Sequence, residues 1–135
     1  MTLSEVFKRL GAPLINTRWS WGAVRVNDGV VFLRVWQDRK IRLDGHWYMM
    51  LTHHERYIGD ENSLGYKERL DHVKKIRQGS CCYMIMCCAV NTLTTPRKIK
   101  SFNSDEVFLG GQMIEHEGDS WIELLERRSI KSVQV

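Results

Sequence analysis

One stretch constrains this fold more than any other: Asn16 to Asp38, NTRWSWGAVRVNDGVVFLRVWQD. Asp28-Gly29 is a two-residue hairpin signal, because both central positions of such a turn need φ > 0. With the turn there, Asn27 pairs with Val30, Val26 faces Val31, Val24 faces Leu33 and Gly22 faces Val35. On the other face Arg25 meets Phe32, Ala23 meets Arg34, Trp21 meets Trp36 and Trp19 meets Asp38. Side chains alternate along a strand. One face is therefore aliphatic and belongs in a core. The other carries Trp19, Trp21 and Trp36 with Arg25, Arg34 and Asp38.

Two readings fit that second face. Large aromatics are usually well buried, so the tryptophans can be a second core layer under another element. They can also line a pocket. Indoles near a carboxylate suit a planar, hydrogen-bonding ligand such as a nucleobase, which stacks on the rings and donates from an exocyclic amine.

The chain has 135 residues, the size of one domain, with ordinary hydrophobic (43%) and charged (27%) content. No apolar run is long enough to span a bilayer, and the N-terminal MTLSEVFKRLGAPL lacks the apolar segment of a signal peptide. A cytoplasmic location is the default expectation. The net charge of +4 is uneven: residues 1–80 hold 14 Lys and Arg against 9 Asp and Glu, and residues 81–135 hold 6 against 7. A basic half with exposed aromatics suits a polyanionic partner, nucleic acid above all.

All four cysteines, Cys81, Cys82, Cys87 and Cys88, lie in SCCYMIMCCAV, which reads as a buried strand. Neighbours on a strand point to opposite faces, so the cluster does not close into a tetrahedral site alone. Reduced thiols acting as small apolar residues are expected, with no disulfide, metal or cofactor. His53-His54 diverge in the same way.

Along the chain, Ser4 to Leu10 reads as a helix capped by Ser4, with Val6, Phe7 and Leu10 as its stripe. Arg39 to Gly45 reads as a polar loop, His46 to Thr52 as a strand, and Arg56 to Leu64 as a loop. Gly65 to Gln78 reads as a helix lined by Tyr66, Leu70, Val73 and Ile76 and ended by Gly79. Ser80 to Val90 is apolar enough for a central strand. Arg97 to Phe102, Glu106 to Ile114 and Trp121 to Leu125 read as further strands, with a bulge at Gly110-Gly111 and a turn at Glu117 to Asp119. The tail to Val135 reads as one more strand. Few helices and many short strands predict a compact α+β barrel.

LDHVKKIRQG, then CCYMIMCCAV, then PRKIKSF resembles the EVE branch of the PUA-like superfamily. The fuller set, LGAPLINTRWSWGAVR, VFLRVWQD, LGYKERLDHV and VFLGGQMIEHEGDSWIEL, is similar to the reading domain of EVE-type modification-dependent restriction systems. The resemblance spans most of the chain. It implies a single domain, a PUA-like pseudo-β-barrel with two or three flanking helices, whose aromatic pocket takes a modified base. The candidate pocket residues are then Trp19, Ser20, Trp21, Trp36 and Asp38. The HNH nuclease that accompanies such domains has no counterpart here, which implies a separately encoded nuclease partner and a chain that is not itself an enzyme.

The expected function is a reader of modified DNA, methylated cytosine above all, by base flipping. Arg18, Arg39, Lys40, Arg42, Lys74 and Lys75 would hold the phosphates. Flipping costs a few kcal/mol and stacking returns about 1–3 kcal/mol per base. A methyl group adds only about 0.8 kcal/mol, so discrimination needs a fitted pocket. RNA is the alternative partner. A nucleotide-acting enzyme is the alternative class, with Asp38, His46, His53, His54, Glu55 and Asp60 as acid–base groups that show no diagnostic spacing. An inert partner protein of a defence or phage operon is a third.

Overall fold

The apolar strand is the hub of the sheet. In the computed structural model, which describes residues 1–60 and 62–134, β5 (Cys82–Ala89) pairs in parallel with β2 (Val31–Trp36) along one edge. Its other edge is shared by β7 (Glu106–His116) and β6 (Ile99–Phe102), both antiparallel. The whole is an eight-stranded mixed sheet, with path β1-β2-β5-β7-β8-β4-β3 and β6 attached to β5. Here β1 is Gly22–Val24, β3 is Lys40–Leu43, β4 is His46–Met50 and β8 is Asp119–Ser129. The sheet curls without closing. Its inner face brings Val31, Leu33 and Val35 of β2, Met84 of β5, Phe108 of β7, Ile122 of β8 and Met49 of β4 into one buried cluster. Full burial of each such side chain stabilises by roughly 1.5–3 kcal/mol.

The outer face of β2 and β5 has its own core. Ala23, Phe32, Tyr83, Ile85 and Cys87 pack there against Val6, Phe7 and Leu10 of α1 (Leu3–Arg9) and Ile130 and Val133 of α4 (Ile130–Val133). Four helices flank the sheet among the described residues, where two or three were expected; α2 (His54–Tyr57) and α4 are single turns, too short to show as a period in the sequence. No helix among the described residues is long and apolar enough to cross a membrane.

The leading hairpin differs from the expected register by two residues. Gly22 faces Leu33, Ala23 faces Phe32 and Val24 faces Val31. The cause is Asp28. Its carboxylate takes the Arg25 guanidinium and the Val30 N–H (3.2 Å), and the Arg25 carbonyl accepts from Gly29 N–H (2.8 Å). A four-residue turn, Val26 to Gly29, results, and of Asp28 and Gly29 only Gly29 has φ > 0. Trp21 consequently lies opposite Arg34, whose N–H donates to the Trp21 carbonyl (3.0 Å), and not opposite Trp36. An even shift preserves parity, so Trp21, Arg34 and Trp36 keep one face.

Four further expectations are corrected. The polar stretch from Arg39 to Gly45 contains a strand, β3, because Asp44 (φ 51°) and Gly45 (φ 81°) form the two-residue turn that pairs Leu43 with His46. Thr2, not Ser4, caps α1, in a reciprocal box with Glu5. The buried face of α3 (Leu64–Arg77, capped by Ser63) is Gly65, Arg69, His72 and Val73, while Leu70 is exposed. The tail is α4, not a strand. The bulge at Gly110-Gly111 and the turn at Glu117-Gly118 stand where the sequence places them.

Candidate functional site

The tryptophan face opens into a cavity of about 150 Å³. A volume of that order accepts one six-membered ring. Trp21, Trp36, Tyr57 and Tyr66 supply aromatic walls, and five arginines, Arg34, Arg39, Arg56, Arg69 and Arg97, reach it from four separate segments. Val35, Met50, Leu51 and Pro96 add apolar surface, and Thr52 and His53 complete the lining. Among the described residues no carboxylate lines it.

Each wall is held by local packing. Trp21 is wedged against the first turn of α3, where a Cβ on Gly65 would lie 2.5 Å from its Cε2. Only glycine allows that approach. Tyr57 and Tyr66 stack on each other at 4.2 Å between centroids and meet Trp21 at 5.5 and 6.3 Å. Asp119 fixes the rim behind them. It accepts from Thr52 Oγ1 (2.8 Å), His54 N–H (2.8 Å) and the His54 ring (2.9 Å), which anchors the start of α2 and with it Arg56 and Tyr57.

The arginines fall into two sorts. Arg69 crosses the core and donates to the carbonyls of Leu51 (3.1 Å), Trp21 (3.3 Å) and Arg34 (2.6 Å). Burial pulls its pKa down to about 10, with the Arg34 charge adding to the effect. Arg97 forms a bidentate pair with Asp38 (2.6 and 2.8 Å) and lies over Trp36 at 5.3 Å. Those two are structural as well as lining.

Arg34, Arg39 and Arg56 have no carboxylate partner among the described residues. Arg34 stands between the two indoles, 5.9 Å from the Trp21 ring and 5.8 Å from the Trp36 ring. Burial lowers its pKa. The Arg39 pKa is lowered by burial first and then by the like charges of Arg97 and Arg56. His53 is held below its ordinary value by burial and by Arg39, so at neutral pH its Nδ1 accepts from Arg39 Nη1 (3.1 Å). The cavity is a concentration of positive charge in part-dry surroundings.

Among the residues singled out from the sequence, Trp21, Trp36 and Arg39 line this cavity, as do Arg34 of the same strand face and His53 of the candidate acid–base groups, and the others do not. The Trp19 side chain does not line it, and its carbonyl packs on Gly65. Ser20 is buried and donates to Glu68 (3.0 Å), tying the loop before β1 to α3. Asp38 is engaged by Arg97, which holds its carboxyl below the usual range. Lys40 and Arg42 project from β3 beside the half-exposed ring of Trp47, at 5.4 and 5.6 Å. Arg18 is exposed in the loop before β1. Lys74 and Lys75 sit in the last turn of α3, more than two helical turns from Tyr66. Tyr57, Arg56 and Arg97 went unrecognised, and Tyr66 and Arg69 stood only as helix residues. Their residue types gave no signal, since each reaches the cavity through tertiary packing.

The burial expected for all four thiols holds for two: Cys82 and Cys87 are buried, Cys88 is half-buried, and Cys81, just before β5, is exposed. Burial pushes Cys82 up to about 12 and Cys87 up to about 11, which leaves both as neutral packing groups. Comparison of the chain with family models, with curated proteins and with solved structures found no match.

Proposed function

We propose that this chain is a nucleic-acid reader of the PUA-like kind that takes one flipped, modified base into the cavity between Trp36, Tyr57 and Arg34. One observation carries the reading: a ring-sized cavity walled by four aromatics and five arginines, with no carboxylate among the described residues that line it. Aromatic faces accept the ring of any base, and guanidinium groups accept its carbonyls and the flanking phosphates. The wrap of the sheet around one aliphatic core supports the pseudo-barrel part of the proposal. Lys40 and Arg42 beside Trp47, and Lys74 and Lys75 on α3, supply phosphate contacts beyond the cavity. Binding is the proposed activity and DNA the proposed partner.

The test is a binding panel of unmodified, methylated and hydroxymethylated oligonucleotides, DNA and RNA, against two variants. Trp36→Ala is expected to abolish preference among bases while the protein stays folded, because Trp36 is half-buried and its ring neighbours are the arginines Arg34 and Arg97. Trp21→Ala is the wrong probe, since Trp21 packs on α3. Lys74→Ala with Lys75→Ala is expected to weaken all nucleic acids alike, with a shallower salt dependence. Equal binding of every oligonucleotide by wild type would end the reading.

A further inference from the structure

We infer that the ring-bearing ligand seated in this cavity carries an oxyanion, a carboxylate- or phosphate-type group, and that Arg34 is its counter-ion. The inference rests on the cavity being a ring site, as proposed above, and adds the charge class of its ligand.

The argument starts from Arg34. Its guanidinium lies over both indoles, 5.9 Å from the Trp21 ring and 5.8 Å from the Trp36 ring, and carries five N–H donors in a planar fork. For Arg34 those donors have no hydrogen-bond or ion-pair partner among the described residues. A part-buried cation left without one is costly unless something arrives to pair with it. The fork geometry of its donors matches a carboxylate or phosphate in bidentate fashion.

Two further arginines add to the charge that a ligand would meet. Arg69 is 5% exposed, and Arg97 has a side chain only 6% exposed. Both line the cavity. Nearby Asp38 and Glu68 are engaged by Arg97 and Ser20 and do not reach the lining. A neutral methylated base would leave this charge uncompensated, and a cationic ligand would be repelled.

The experiment uses the intact protein and four free ligands: deoxycytidine, 5-methyl-deoxycytidine, 5-carboxyl-deoxycytidine and deoxycytidine 5′-monophosphate. Calorimetry and the rise in melting temperature give the affinities. One or both acidic ligands should bind roughly 10- to 100-fold tighter than deoxycytidine, the range for a hydrogen bond to a charged group. A carboxylate preference places the anion on the ring; a monophosphate preference places it on the sugar. Arg34→Gln should erase the difference, and Arg34→Lys, which keeps charge but loses the fork, should restore part of it. The wild-type ranking stands as a test whether or not either variant folds.

Equal affinity for neutral and acidic rings, tighter binding of the methylated nucleoside, no binding of any ring, or a preference that survives in folded Arg34→Gln would each overturn the inference. Oligonucleotides separate it from the reader. Acidic nucleosides that bind while oligonucleotides carrying them show no preference would sink the reader and leave the anion site. Methylated oligonucleotides preferred over carboxylated ones would do the reverse.

Discussion

Arg25 and Arg34 belong to one hairpin and one face of it, and each lies against an aromatic ring: Arg25 is 5.0 Å from Phe32, and Arg34 is 5.8 Å from Trp36. Their surroundings differ in kind. Arg25 is 6% exposed and fully engaged, with Asp28 at one end and the carbonyls of Leu10 (3.0 Å) and Val133 (2.6 Å) at the other. It ties the end of α1 and the end of α4 to the first turn of the sheet. Arg34 ties nothing. The same residue type, nine positions along, is a structural clasp in one place and an open donor in the other. What separates them is whether the neighbouring chain ends supply acceptors. A cation whose partners are all internal belongs to the fold. One with no partner among the described residues is open to a ligand, which is the role proposed for Arg34.

The largest effect should come from breaking the clasp. Arg25→Met keeps the aliphatic stem and removes the donors, leaving the Leu10 and Val133 carbonyls buried without partners. The expected loss is about 2–5 kcal/mol, the cost of two orphaned carbonyls together with the charge-assisted bonds to them. Thermal melting should show a fall of roughly 10 °C or more. An unchanged melting temperature would mean that the ends of α1 and α4 are held by packing alone, and the distinction drawn above would fail on its structural side.

A second measurement tests the dry side of α3. His72 is 4% exposed, and its pKa is pulled down to about 4 by burial and by neighbouring Arg69. Its folded value is depressed, so the unfolded chain binds the extra proton between pH 6.5 and about 4. Stability is therefore full above pH 6.5 and is lost as pH falls toward 4, by roughly 3 kcal/mol at most. Denaturant midpoints between pH 7 and pH 4 should show this slope, and His72→Gln should flatten it. A slope that persists in the variant would assign the titration to other groups.

Much of this was legible, for identifiable reasons. Asp28-Gly29 marked a hairpin, and strand parity put Trp21, Arg34 and Trp36 on one face; the register slipped because Arg25 captures Asp28, a contact that propensity does not encode. Asp44-Gly45 was an equally good turn, but Lys40 and Arg42 made the flanking strand look like a solvated loop. Period gave the length of α3 and misplaced its buried side. Polar Arg69 turns inward because the carbonyls of Leu51, Trp21 and Arg34 need a donor there, and His72 is buried one turn along the same side. The cavity itself was half visible. Its indoles come from the hairpin, while Tyr57, Arg56 and Arg97 arrive from segments whose meeting depends on the crossover from β2 to β5.

The smallest effect should come from Arg34 itself, and its smallness is informative. Arg34→Gln removes a part-buried charge that no acceptor among the described residues needs. It forfeits two cation–π contacts, together about 1–2 kcal/mol at this degree of exposure. It also removes the desolvation cost of an unpaired guanidinium, which is of similar size and opposite sign. The net change in stability should stay within about 1 kcal/mol in either direction, with the β2–β5 register intact, since the backbone N–H and carbonyl of Arg34 keep their partners. Melting curves of Arg34→Gln and Arg25→Gln, run side by side, are the check. Two side chains of one type on one face would then differ several-fold in their cost to the fold. A loss at Arg34 as large as that at Arg25 would make it a second clasp, and the positive charge of the cavity would be a feature of folding and not of binding.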